Sequence, residues 1–80
     1  MDIRDDQFSL VNLIINKFSD KYGITSKEVY TIFKKFDIIS YLVEDYDILH
    51  TQGTGYVMGD ILEVLHGRGF DTISWNQRAV

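Results

Sequence analysis

The chain has 80 residues, of which 8 are basic, 12 are acidic and 45% are hydrophobic, and it contains neither proline nor cysteine. This length accommodates one hydrophobic core and no second domain, and eleven aromatic residues supply enough apolar surface for that core. The lack of cysteine excludes a disulfide scaffold, a thiolate metal site and a cysteine nucleophile.

Apolar residues at helical spacing predict a first helix over about residues 4–22. Its stripe contains Phe8, Val11, Ile15, Phe18 and Tyr22. The opposite face is polar, and the glycine at position 23 stands where a left-handed C-terminal cap is expected. We therefore expect this helix to bury one side.

A capping box predicts where the second helix begins. Thr25 has the side chain of an N-cap residue, and Glu28 follows three positions later. The helix is predicted over about residues 26–36. Its apolar side contains Val29, Ile32, Phe33 and Phe36.

A third segment follows a predicted break near residues 37–40, where Asp37 or Ser40 can act as a cap. Its apolar stripe contains Ile39, Leu42, Tyr46 and Leu49, with Ile38 and Val43 beside it. A loop with two glycines comes next, and the last helix is predicted over about residues 55–66.

The remaining residues form an irregular C-terminal tail in this interpretation. We predict a single helical domain over residues 1–69 and a tail over residues 70–80. The tail is expected to dock through Phe70 and Trp75, and its last residues are expected to fray. The predicted fold is all-α, a compact bundle of four to five short helices.

Charge is distributed unevenly along the chain. Residues 40–67 contain five acidic side chains and no lysine or arginine, whereas residues 1–39 are balanced. This pattern is typical either of a solvated helix face or of a docking surface for a basic protein. For the docking surface, aromatic anchors are available in Tyr41, Tyr46 and Trp75.

We predict a partner-binding set from these acidic and aromatic residues. It consists of Tyr41, Glu44, Asp45, Tyr46, Asp47, His50, Asp60 and Glu63. The expected partner is a basic protein, and a second copy of the chain is the alternative, since so small a core gains from added contact.

Two other function classes compete with a binding module. Asp47 and His50 are three residues apart and can offer two metal ligands or an acid–base pair, with a third group from His66 or Asp60. No nucleophile elbow or phosphate-binding loop accompanies them, so we expect neither catalysis, a metal nor a cofactor. A DNA-binding regulator is the third class, but a net charge of −4 opposes nucleic-acid binding.

The same sequence bears on localisation. The N-terminus is acidic, whereas a signal peptide begins with basic residues and an apolar run. The longest strictly apolar run, residues 13–15, is far shorter than the roughly 20 residues of a membrane span. We therefore expect a cytoplasmic protein that does not bind membranes.

A family resemblance is carried mainly by the end of the third segment and the helix after it. The residues are Tyr46-Asp47-Ile48-Leu49-His50-Thr51-Gln52-Gly53, Tyr56-Val57 and Asp60-Ile61, with Ser26-Lys27-Glu28-Val29-Tyr30 upstream. This pattern resembles the small bacterial helical proteins known as domain of unknown function number 3791, over about residues 8–66. In that family, a helix ending in Tyr-Asp-x-Leu-His-Thr-Gln precedes a glycine-containing turn and a final helix.

The resemblance implies an all-helical fold and no established activity. Members of this family are often encoded beside toxin-like proteins, including ADP-ribosyltransferase-like ones. The resemblance therefore implies an antitoxin-like or accessory binding role for this chain. The signature residues on this chain are His50, Thr51 and Gln52, and they serve either to end a helix or to contact a partner.

Overall fold

The computed structural model describes residues 4–72 and Trp75, and this part of the chain forms five α-helices and no strand. They are α1 (Asp5–Tyr22), α2 (Ser26–Lys35), α3 (Ile38–Glu44), α4 (Tyr46–Leu49) and α5 (Thr54–Gly67). The predicted all-α fold of four to five short helices is confirmed. The predicted fraying of the chain end falls outside the described residues.

Local signals in the sequence set the end of α1 and the start of α2. Gly23 adopts the left-handed conformation (φ 64°) and its N–H donates to the Ser19 carbonyl, as expected for a C-terminal cap. The Thr25 hydroxyl accepts the Glu28 N–H at 3.1 Å and begins α2. Both ends therefore follow from the residue types at the predicted positions, a glycine that tolerates positive φ and a hydroxyl that accepts a backbone N–H.

The predicted break after α2 occurs at Asp37, a non-glycine residue in the left-handed region (φ 61°). The Asp37 side chain makes no capping hydrogen bond to α3. Instead, the Arg68 guanidinium donates to the Phe36 carbonyl at 2.7 Å and to the Asp37 carbonyl at 3.2 Å. A residue from the far end of α5 thus stabilises this bend.

A second break, which the sequence did not predict, separates α3 from α4. Asp45 lies between them with φ −98° and ψ 17°, outside regular helical values. Hydrogen bonds still run from the Asp45 N–H to the Tyr41 carbonyl (3.1 Å) and from the Ile48 N–H to the Asp45 carbonyl (3.1 Å). The helical spacing of side chains therefore continues approximately across the break.

The core lies where α2 and α5 each pack against α1 and α3. Phe18 is fully buried at its centre, and its ring contacts the rings of Tyr22, Phe33 and Trp75. Burying such a side chain stabilises the fold by about 1.5–3 kcal/mol. Apolar side chains from all five helices are buried in this core, including Ile14, Val29, Leu42, Leu49 and Ile61.

Two expectations about burial are wrong, those for Phe8 and for Trp75 as a surface anchor. Phe8, placed in the apolar stripe of α1, is 56% exposed because it lies near the helix start, beyond the packed part of the stripe. Trp75, considered both as a docking residue of the tail and as a surface anchor, is 2% exposed because its ring packs against those of Phe18, Tyr22 and Phe70, so it is not a surface anchor. In α3, Ile38 is fully buried, whereas its stripe neighbour Ile39 is only half-buried.

Candidate functional site

The Tyr41 side chain joins α3 to α5. Its phenol hydroxyl donates a short hydrogen bond to the Asp60 carboxylate. This bond, with desolvation and the negative charges of Asp60 and Asp45, raises the pKa of Tyr41 to about 12. The neutral phenol of Tyr41 is therefore favoured. Asp45 and Asp60, which are 15 positions apart in the sequence, both lie close to this one tyrosine.

Helical spacing places exposed apolar side chains beside these carboxylates. Tyr56, Asp60 and Glu63 follow at i, i+4 and i+7 on α5, and all three line one shallow depression of about 330 Å³. Tyr41, Asp45 and Ile48 have the same spacing along α3 and α4. Ile48 is 65% exposed and Tyr56 is 63% exposed, the two largest values among the bulky hydrophobic residues described.

We call this surface the acidic face. It consists of Tyr41, Asp45, Ile48, Tyr56, Asp60 and Glu63. None of its three carboxylates forms an ion pair with a described residue, because the single ion pair in this part of the chain joins Arg4 to Asp6. The acidic face therefore combines uncompensated negative charge with exposed apolar side chains.

Tyr46, five residues after Tyr41, lies in a different environment. The Arg4 guanidinium lies 5.6 Å from the centre of the Tyr46 ring, and both residues line a depression together with Glu44 and Asp47. Partial desolvation raises the pKa of Tyr46, the charge and hydrogen bond of Asp6 raise it further, and the Arg4 charge opposes them. We call this region, with residues Arg4, Asp6, Glu44, Tyr46 and Asp47, the Arg4 corner.

Two of the three signature residues end α4. The His50 ring stacks on the Tyr46 ring at 4.6 Å, and its Nδ1–H donates to the Tyr46 carbonyl at 2.7 Å, since a carbonyl oxygen can only accept. The Thr51 hydroxyl donates to the Ile48 carbonyl at 2.8 Å. The same carbonyls also accept backbone N–H groups, Tyr46 from His50 at 2.9 Å and Ile48 from Thr51 at 3.4 Å, so the two side chains add second hydrogen bonds at the helix end. His50 and Gln52 also line a groove of about 290 Å³ between α1 and the start of α5.

The structure divides the predicted partner-binding set into two groups. Four of its residues lie on the acidic face, namely Tyr41, Asp45, Asp60 and Glu63. The other four lie at or beside the Arg4 corner, namely Glu44, Tyr46, Asp47 and His50. The acidic stretch of the sequence is therefore not one continuous acidic surface.

Sequence reasoning missed four residues that define these surfaces, since Asp6 was overlooked together with Arg4, Ile48 and Tyr56. The spacing of Tyr56 to Asp60 on the predicted last helix could have identified Tyr56. Ile48 carried a weaker signal, as an apolar residue outside the apolar stripe. No local signal could have placed Arg4, because it reaches this region from a helix start some 40 positions away.

Metal binding and membrane spanning each require a specific arrangement of residues. Within residues 4–72 and Trp75, no three histidine or acidic side chains lie close enough together to hold a metal ion. The pair Asp47 and His50 therefore gains no third ligand from His66 or Asp60 there. As for membranes, none of the helices in the described ranges is both long and apolar enough to span one.

Comparison with known proteins gives one match. The model of a family described as "Protein of unknown function (DUF3791)" matches residues 9–68, which include most of α1 and all of α2 to α5. No curated protein and no solved structure matches the chain. The resemblance noted from the sequence is confirmed, and the matched region contains the whole acidic face.

Proposed function

This chain belongs to the DUF3791 family of proteins of unknown function, and from that premise we propose that it is a non-enzymatic protein-interaction module. Its acidic face binds a basic surface on a partner protein. The observation that supports this function is the absence of any ion pair between Asp45, Asp60 or Glu63 and a described residue. Uncompensated carboxylates attract a basic partner and increase its association rate.

The apolar residues of the acidic face supply the short-range part of the interaction. Ile48 on α4 and Tyr56 on α5 are both more than 60% exposed, and the hydrogen bond from Tyr41 joins α3, which directly precedes α4, to α5. Aromatic side chains near the centre of an interface contribute much of the binding energy. The hydrogen bond from Tyr41 also holds Asp60 in place, so less side-chain entropy is lost when a partner binds.

The family resemblance favours a bacterial, cytoplasmic setting for this interaction. In that setting the partner is a toxin-like protein with a basic surface, and this chain is its antitoxin or accessory protein. The chemistry required of the partner is independent of that setting. It must present lysine or arginine around an apolar pocket that accepts Tyr56.

Cross-linking in living cells tests the proposal directly. A photoreactive phenylalanine derivative replaces Tyr56 in the tagged chain, and the same derivative replaces the exposed Asn12 on α1 as a matched control. We expect one basic protein to be cross-linked from position 56 and not from position 12. Capture of no protein other than the chain itself from position 56 contradicts the proposed function.

Charge reversal on the isolated complex then separates the two groups of acidic residues. Replacing both Asp60→Lys and Glu63→Lys should weaken binding at least about tenfold and flatten its dependence on salt. The control replaces Glu44→Lys and Asp47→Lys at the Arg4 corner and should change the affinity much less. Titration calorimetry at two salt concentrations measures both, and equal losses would contradict the assignment to the acidic face.

A further inference from the structure

The outward side of α2 is chemically opposite to the acidic face. Lys27, Tyr30, Thr31 and Lys34 follow at i, i+3, i+4 and i+7, so they share one side of the helix, and all four are exposed. Neither Lys27 nor Lys34 forms an ion pair with a described residue. We call this surface the basic face, and its exposed aromatic ring is that of Tyr30, which is 47% exposed.

The two faces lie on different outer helices of the same bundle. α2 and α5 each pack against α1 and α3, and no ion pair joins the lysines of the basic face to the carboxylates of the acidic face. Within one copy, the lysines of the basic face therefore do not neutralise the carboxylates of the acidic face. Only a second molecule can bring such faces together.

We infer that the basic face of one copy docks on the acidic face of a second copy. Lys27 and Lys34 then flank Tyr30 on one side of the contact, and Asp45, Asp60 and Glu63 share the other side with Ile48 and Tyr56. The charges are opposite in sign, and each face carries an exposed apolar side chain that the contact would remove from water.

This contact is head-to-tail, because it joins two different surfaces. A head-to-tail contact that does not close into a ring leaves one free face at each end and allows further copies to add. The charged side chains lie at the surface, where salt screens their attraction, so the assembly should be weak and salt-sensitive. The inference rests on the proposed function, since the same acidic face takes part. A basic partner protein would therefore compete with self-association.

Sedimentation of the purified chain provides the first measurement. At low salt, the average mass should rise with protein concentration, and at about 1 M salt, where screening acts within roughly 3 Å, the chain should be a monomer. A monomer at every concentration in low salt would overturn the inference. Mass that grows equally at both salt concentrations would also overturn it.

Mixing two variants tests the head-to-tail geometry. One variant carries Lys27→Glu and Lys34→Glu on the basic face, and the other carries Asp60→Lys and Glu63→Lys on the acidic face. Each variant alone should be a monomer, because one of its two faces repels the intact face of another copy. Each variant keeps one unaltered face. Its altered face has the same sign of charge as the face that it would contact on another copy of the same variant.

The expected result for the mixture follows from these charges. The intact acidic face of the first variant meets the intact basic face of the second, and the two altered faces are also opposite in charge, so the mixture should regain assembly with equal amounts of both variants. Circular dichroism of each variant alone shows whether it is folded. Failure to pair, while circular dichroism reports helical content equal to that of the unaltered chain, would overturn the inference, as would self-association of either variant alone.

The experiments distinguish this inference from the function on which it rests. A chain that stays monomeric, yet is cross-linked to a basic protein from position 56 in cells, contradicts the self-association alone. A chain that assembles as described, but captures only itself in cells, contradicts the proposed partner protein alone.

Discussion

Tyr41 and Tyr46 are only five positions apart, yet they occupy two different electrostatic environments. Each lies near a carboxylate from another helix, Asp60 for Tyr41 and Asp6 for Tyr46, and the pKa of each is raised. The Arg4 guanidinium stands 5.6 Å from the Tyr46 ring and opposes that shift, whereas no cation opposes the shift at Tyr41.

As these two tyrosines show, a run of acidic residues in a sequence does not by itself define an acidic surface. Residues 40–67 lack lysine and arginine, but α1 brings Arg4 to one end of that stretch. The Arg4 corner is therefore partly compensated, and the acidic face is not. A docking surface for a basic partner follows from the second environment and not from the first.

Truncating a buried side chain of α3, the helix between the two environments, should have the largest effect on the free energy of unfolding. Leu42 is fully buried in α3 between the two tyrosines. Leu42→Ala should lower the free energy of unfolding by about 2–5 kcal/mol, because it deletes buried methyl groups and leaves a cavity. Urea denaturation at pH 7 measures this loss. The control Ile48→Ala, at an exposed position, should change it by less than about 0.5 kcal/mol, and a similar loss in both variants would contradict the packing described.

Removing one charge should make the two tyrosines more alike. In Asp60→Asn the amide oxygen can still accept a hydrogen bond, but the charge is lost, so the pKa of Tyr41 should fall from about 12 towards its usual value of 10. Nuclear magnetic resonance of the tyrosine rings, recorded from pH 9 to 12.5, measures each phenol separately. The pKa of Tyr46 should not change and serves as the internal control.

The same shift makes stability depend on pH. The folded protein holds the Tyr41 proton more tightly than the unfolded chain, whose pKa is 10. The resulting stabilisation is fully present below pH 10 and is lost as the pH rises from 10 to about 12. Unfolding free energies of Asp60→Asn and the unaltered chain should therefore converge across this interval, and a constant difference would contradict the linkage.

The smallest effect is expected at the Arg4 corner. Arg4→Ala removes the charge that lowers the pKa of Tyr46, so that pKa should rise further, whereas Asp6→Asn should lower it. Both side chains are more than half exposed, so their ion pair contributes little to stability. The same resonance titration checks the two opposite shifts, and shifts of the same sign in both variants would contradict this arrangement.

Much of the fold was predictable because its signals are local. The apolar stripe of α1, the cap at Gly23 and the hydroxyl of Thr25 each act within one or two helical turns. The break at Asp45 was not predictable, since neither glycine nor proline marks it. The position of Phe8 was also misjudged, because periodicity specifies a side of the helix but not how far along it the neighbouring helices extend.

The candidate surface was only half predictable for a related reason. Spacing on a single helix groups Tyr56 with Asp60 and Glu63, and no further information is needed for that grouping. Tyr41 and Asp45 lie on the same surface as this group only because α3 packs against α5. The separation of Asp47 from the group depends on where α1 begins.

The sequence by itself determined four amphipathic segments, the caps at Gly23 and Thr25 and the sign of the charge on each helix, because these properties depend on neighbours within a few positions. Only the tertiary structure decided which charges stay uncompensated and which meet a cation from a distant segment. Electrostatic interactions depend on distance in space and on access to water, and neither is fixed until the helices pack.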